Sequence, residues 1–300
     1  MIDAHIHIFP RYRSVKAVRW LKRHIPSLDV QETVDESDIL KKLENCGVSS
    51  FFNYVYPLSP DETEFLNGFN HELSRRVPKA VSFGSIHPEN ENKEEIVRTA
   101  IIDLDLIGLK FHPFVQGFSI LDERMDEVYR TLEVLRRPVV FHTGFDRLYG
   151  ARLAPEEMEV FLKRYPGLVV VIAHMFYPHI DRAFDLLERY ENVYLDGTNV
   201  FSGYREPTNG ENIFDGFLVE ESGTETYRVF FNYPLKDIER HSTRLMVGSD
   251  YPVAMNSPEE IYEHVRMLPV SEETRTDISA DTARSFVERF KPGFFDRACA

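Results

Sequence analysis

Ile2-Asp-Ala-His5-Ile-His7 opens the chain, and its spacing decides how the rest is read. A β-strand turns alternate side chains to opposite faces, so His5 and His7 share a face and can grip one cation between them. On a helix, residues two apart face different ways and the pair could not do this. Four more short apolar runs end on a residue able to bind a metal: Gly108-Leu-Lys110-Phe-His112, Val139-Val-Phe-His142, Val169-Val-Val-Ile-Ala-His174 and Leu245-Met-Val-Gly-Ser-Asp250. They are rich in Val, Ile and Leu without polar alternation, as expected of strands buried on both faces of a parallel sheet. Gly or Pro and then a helical stretch follow each run, so the repeating unit is βα.

Outward from these five runs, the same rhythm supplies three more. Strands are expected over residues 2–7, 48–55, 80–86, 106–112, 138–142, 168–174, 192–196 and 244–248, with helices over 36–45, 62–76, 155–164 and 181–190. Gly47 stands just past a helix, where a left-handed residue ends it. Ser257-Pro-Glu-Glu260 is a capping box with proline at the first helical position. Eight such units in 300 residues predict one (β/α)8 TIM-barrel domain over residues 1–300, with its site at the C-terminal strand ends. Residues 199–242 break the rhythm, because a βα loop usually has roughly 2 to 6 residues. A helical insertion after strand 7 is expected there, covering the mouth with Phe201, Tyr204, Phe214 and Phe217 as an apolar underside.

The chain is 43% hydrophobic, yet no apolar run approaches the roughly 18 residues that span a bilayer, so a soluble globular protein without a membrane partner is expected. Because Ile2 opens the first strand without a charged or apolar leader pattern before it, no secretory leader is expected. Cys46 and Cys299 cannot build a disulfide framework, and a reducing cytoplasm is the simple expectation. A formal charge of −14 argues against nucleic acid, whose phosphates demand a basic face. No P-loop or dinucleotide-binding glycine fingerprint is present, so nucleotide cofactors are not suggested.

Asp3-Ala-His5-Ile-His7-Ile-Phe-Pro10, Gly108-Leu-Lys110-Phe-His112-Pro, Val140-Phe-His142-Thr-Gly144, Ile172-Ala-His174, Asn192-Val-Tyr-Leu-Asp196 and Gly248-Ser-Asp250-Tyr-Pro252, in this order at strand ends, resemble the amidohydrolase superfamily. The nearest branch is the amidohydrolase-related group that includes aminocarboxymuconate-semialdehyde decarboxylase and γ-resorcylate decarboxylase. The resemblance implies that His5, His7, His142 and Asp250 hold one divalent ion, most plausibly Zn²⁺, and that His174 is the acid/base beside its water, with Asp250 able to share that role. Imidazoles and one carboxylate suit zinc and leave an open position. In binuclear superfamily members a strand-4 lysine is carboxylated and bridges two metals, whereas in this branch a Lys-x-His-Pro strand often accompanies one. One ion is therefore expected, with Lys110 a cation near the substrate. Many relatives carry glycines after the strand-6 histidine; His174-Met-Phe-Tyr-Pro178 is bulkier and implies a different substrate pocket. Decarboxylases of this branch are often dimers, which raises a homodimer as an expectation.

Around these residues, Arg147, Arg11 and Arg13 follow strand ends and could bind a substrate carboxylate bidentately. Phe9, Tyr54, Tyr56, Phe176, Tyr177 and Tyr251 could wall a pocket for a flat substrate. His112 is expected beside the site rather than in its chemistry. Asp196 could enter the site or cap the next element. The leading expectation is a metal-dependent hydrolase of a C–N or C–O bond in a small substrate, cyclic or open. The alternative is a non-oxidative decarboxylase of an aromatic or unsaturated acid that uses the same ligands. A barrel that keeps its metal only for structure would not need His174.

Overall fold

The computed structural model describes residues 1–25, 30–146, 148–177, 179–201, 217–222, 226–231, 235–253 and 257–297, with segments 217–222 and 226–231 described by backbone only. All eight expected strands form: β1 (Ile2–Ile6), β2 (Ser50–Asn53), β3 (Ala80–Ser82), β4 (Leu109–Phe111), β5 (Val139–His142), β6 (Val170–Ala173), β7 (Val193–Asp196) and β8 (Leu245–Met246). They pair in parallel in two runs, β1-β2-β3 and β8-β7-β6-β5-β4. Hydrogen bonds close both gaps. At one seam Gly84 N donates to Gly108 O at 2.9 Å and Lys110 N to Gly84 O at 2.8 Å. At the other, Ala4 N donates to Val247 O and His7 N to Tyr251 O, both at 2.9 Å. The result is a closed (β/α)8 barrel.

Alternation along each strand sorts the core into two layers. Val139, Phe141, Val170, Ile172, Val193 and Leu195 face outward onto helices that supply Val128, Leu132, Phe161 and Leu187. Val140, Val171, Ala173 and Met246 face the barrel interior, which is closed at its lower end by Phe286 and Phe290 of the helix Thr282–Phe290. By the same parity Lys110, His112, His142 and Asp196 point inward, and helical packing leaves them nowhere else to go. Strand β1 departs from strict alternation. Its register against β2 shifts between Asp3 and Ile6, so that Ile2 and Ala4 fill the interior while Ile6 and Ile8 pack outside. A bulge of this kind re-aims side chains, and here it turns His5 and His7 into the mouth. Gly248 permits the β8–β1 seam: a Cβ there would lie 2.5 Å from His5 N.

The predicted helices at 36–45 and 155–164 are found at Glu36–Asn45 and Pro155–Arg164, and the Ser257 capping box heads Pro258–Met267. The connection after β1 is better ordered than the sequence suggested, a helix over Arg11–His24. The insertion needs correction. Among its described residues, helix is confined to Leu235–His241 and the short turn Ser242–Arg244. Phe217–Ser222 and Thr226–Phe231 instead pair as an antiparallel ribbon. Thr226–Phe231 is dense in aromatic and β-branched residues, which favour a pleated surface over a helix. Tyr204 and Phe214, assigned to the underside of the insertion, lie outside the described residues.

Candidate active site

Three side chains meet where β1 and β8 end. His7 Nε2 lies 3.1 Å and His5 Nε2 3.6 Å from Asp250 Oδ1. The rings of His5 and His7 are 5.1 Å apart and inclined by 69°, so their nitrogens converge. Protein acceptors fix the tautomers. His7 Nδ1 is 2.9 Å from the carbonyl of Tyr54, His174 Nδ1 is 3.0 Å from the carbonyl of Thr198, and His5 Nδ1 is 2.6 Å from Asp196 Oδ2. Carbonyls and carboxylates accept only, so Nδ1 carries the proton and Nε2 is left as a bare acceptor. Among the described residues, His5 Nε2 and His174 Nε2 are buried without a hydrogen-bond partner, as is Lys110 Nζ. Bare imidazole nitrogens around a carboxylate oxygen repel one another unless a cation lies among them. The donor set therefore fits a divalent ion, with Asp196 and the two carbonyls orienting the rings from behind.

Electrostatics follows from burial. Burial holds His5 and His142 well below the usual imidazole range, helped for His5 by the Lys110 charge and for His142 by neighbouring His112. Burial also pushes His174 down to about 4, against the pull of Asp250. Asp250 is buried too, which would raise it, but the neighbouring His7, His174 and Lys110 outweigh burial and hold it below the ordinary value. Lys110 is shifted down and Asp196 up, each chiefly by burial. Asn199 Nδ2 donates to Asp250 Oδ2 at 2.8 Å and leaves Oδ1 for the histidines.

A second group lies across the mouth. His112 and His142 stack face to face, 3.8 Å apart and 13° from parallel, with Asp146 Oδ2 at 4.0 Å and 3.7 Å from their Nε2 atoms. Asp146 is carried on a hairpin, Gly144–Asp146 against Ala151–Leu153. Gly144 makes the turn into it with φ of +84°, and a Cβ there would meet Tyr177 O at 2.8 Å, so only glycine lets the hairpin lean this close. Between the two groups opens a cavity of about 600 Å³, walled by Phe9, Tyr12, Trp20, Tyr56 and Tyr149.

The structure brings His5, His7 and Asp250 together as expected and sets His174 beside them, its ring 5.0 Å from His5. His142, expected as the fourth ligand, instead groups with His112 and Asp146, although its ring is 4.4 Å from that of His174. Lys110 is inside the barrel, its Nζ 5.0 Å from the Tyr54 ring centroid. Arg147 lies outside the described residues. Arg13 is in the cavity wall but committed to Glu62, with Nη1 donating at 2.9 and 2.8 Å. Sequence reasoning passed over Asp146, Trp20 and Tyr149, and left the role of Asp196 open. The strand-end position of Asp196 was a usable signal; the other three reach the mouth from loops and a helix.

The amidohydrolase family model matches residues 2–289. No curated protein matches closely enough to count. Among solved structures, an uncharacterised TIM-barrel protein from Bordetella bronchiseptica is 16% identical with a TM-score of 0.70, over 96% of this chain and 98% of that one. A 5-carboxyvanillate decarboxylase from Novosphingobium aromaticivorans, with bound manganese, is 13% identical with a TM-score of 0.63 over 96% of each chain. A probable 2-pyrone-4,6-dicarboxylic acid hydrolase from Acinetobacter baumannii is 12% identical with a TM-score of 0.57, over 95% and 98%. At such identities the likeness is one of fold, while the family match spans almost the whole sequence: the chain belongs to the amidohydrolase family of TIM-barrel enzymes.

Proposed function

We propose that this enzyme is a metal-dependent hydrolase that cleaves a C–N or C–O bond in a small, flat, cyclic substrate. The observation that carries the reading is the set of bare, buried Nε2 atoms at His5 and His174 beside Asp250, each with its other ring nitrogen committed. His5, His7 and Asp250 would hold the ion, with His142 the proposed fourth donor and zinc the ion that this donor set suits. The chemistry a divalent ion supplies in such a site is polarisation of a carbonyl and of water.

The remaining work falls to the chain's own groups. His174 is neutral at physiological pH with a bare Nε2, which suits it to take the proton of the attacking water and return it to the leaving nitrogen or oxygen. Asp250 Oδ1 faces the same space and can hold that proton in transit. Lys110, inside the barrel with no hydrogen-bond partner for Nζ among the described residues, stabilises negative charge as it develops on the substrate. Aromatic walls bind the ring and exclude water.

Decarboxylation is the second reading. It is favoured by the fold likeness to 5-carboxyvanillate decarboxylase and by Lys110, which could equally hold a carboxylate. A screen of metal-loaded protein against cyclic amides, lactones and aromatic acids, run in ¹⁸O-labelled water with CO₂ detection, separates the two. Incorporation of ¹⁸O into product without CO₂ is the expected result, and CO₂ release without ¹⁸O would replace hydrolysis by decarboxylation.

A further inference from the structure

The cavity wall holds one carboxylate that no cationic side chain answers among the described residues. Its described charged residues are Arg13, Lys16, Glu62, Asp146 and Asp250. Arg13 and Glu62 neutralise each other through a two-pronged ion pair, and Asp250 is engaged by the histidines of β1. Lys16 stands at the exposed rim, its Nζ 5.9 Å from the Tyr12 ring. Asp146 is different, because its side chain is only 13% exposed. Its carboxylate accepts from the backbone of Leu148, at 2.8 Å to Oδ1, and of Tyr149, whereas no side chain among the described residues donates to Oδ2. Both nearby imidazole nitrogens, at 3.7 and 4.0 Å, are beyond hydrogen-bond reach. A partly desolvated carboxylate gains from a further donor, and the open side of Oδ2 leaves room for one from outside the chain.

An ion ligated by His112, His142 and Asp146 is one such donor, but the ring geometry opposes it. Ligand lone pairs must converge on a metal, and those of two rings 13° from parallel run side by side. The surrounding surface points to an organic group instead. Trp20 and Tyr149 lie stacked at 5.4 Å and 17°, and with Tyr12, Tyr56 and Phe9 they line the cavity that Asp146 faces. Aromatic faces attract cations, and the overall charge of −14 concentrates cations near the protein.

We propose that Asp146 is a specificity-determining residue that binds a positively charged N–H donor, an amine or amidine, on a flat ring seated among Trp20, Tyr149 and Tyr56. Resting on the function proposed above, this makes the substrate a basic nitrogen-bearing ring rather than an aromatic acid or dicarboxylate.

Trp20 is the only tryptophan in the chain, so its fluorescence reports what enters the cavity. Zinc-loaded protein is titrated with benzamidine and, separately, with benzoate, in the wild type, Asp146→Asn and Asp146→Glu. Benzamidine should quench saturably and bind at least about ten-fold tighter than benzoate, as for a hydrogen bond between charged groups. Asp146→Asn should abolish that preference and Asp146→Glu should retain part of it. Equal or tighter binding of benzoate by the wild type, or an unchanged preference in Asp146→Asn, would overturn the proposal. Zinc content is measured in the same samples. Loss of zinc from Asp146→Asn would make Asp146 an ion ligand and likewise overturn it. Failure of the proposed function reads differently, as protein that still prefers benzamidine but holds no zinc in the wild type.

Discussion

The two sides of the mouth use the same residue types in opposite ways. On the β1–β8 side, each imidazole is tied through Nδ1 to Asp196 or to the carbonyl of Tyr54, and the His5 and His7 rings meet at 69°. On the β4–β5 side, His112 and His142 lie stacked, and His112 Nδ1 is buried with no hydrogen-bond partner among the described residues. An ion needs donors whose direction is fixed in advance, because reorienting them would cost part of the binding energy. A substrate wall needs shape and one well-placed charge. The contrast shows that a count of histidines is a poor guide to a metal centre: the second nitrogen of each ring, and what it is bonded to, decides the matter.

The comparison breaks or sharpens under mutation. The largest effect is expected from His5→Ala combined with His7→Ala, which should leave no bound ion by elemental analysis, while His112→Ala keeps the wild-type content. Equal loss in both would add His112 to the ligand set beside His142. Next comes His174→Ala, which should retain the ion but lower turnover by about 10² to 10⁴-fold, the usual worth of general acid–base catalysis. Because burial pushes His174 down to about 4, its base form is present above that pH and is lost as pH falls through it. The wild-type rate profile should therefore carry an acid limb near pH 4 that His174→Ala lacks. An ion-free His174→Ala protein would instead make it a ligand. Smallest is Asp196→Asn, where the acceptor behind His5 is weakened rather than removed. Ion affinity should fall by roughly 10 to 100-fold in a competitive chelator titration, and an unchanged affinity would show that His5 needs no such support.

Much of this was legible in the chain because barrel strands carry a strong signal. Buried parallel strands read as short Val/Ile runs, and a functional side chain must stand at the end of one, so His5, His7, His142, His174 and Asp250 could be picked from their positions alone. What the sequence hid depends on contacts distant along the chain. Whether His142 turns toward His5 or stacks on His112 is set by packing between strands, which no local pattern records. Asp146 follows Gly144-Phe145 on a hairpin inserted after β5, and a period-2 run that short is easily taken for loop. Trp20 sits on a helix where the sequence offered only a long connection, and it meets Tyr149 from far along the chain. The insertion misled for another reason: its aromatic residues were read as the underside of helices, yet Phe217–Ser222 and Thr226–Phe231 use theirs in a ribbon.

The seam between β1 and β8 has a consequence for how the protein comes into being. A ribosome makes His5 and His7 long before Asp250, and the two segments meet only when Val247 and Tyr251 hydrogen-bond to Ala4 and His7. No nascent chain that stops short of Asp250 contains the proposed set of donors. An ion held there would act as a clasp on the finished barrel, favouring the closed ring over any opened form by mass action, and metal loading would follow barrel closure.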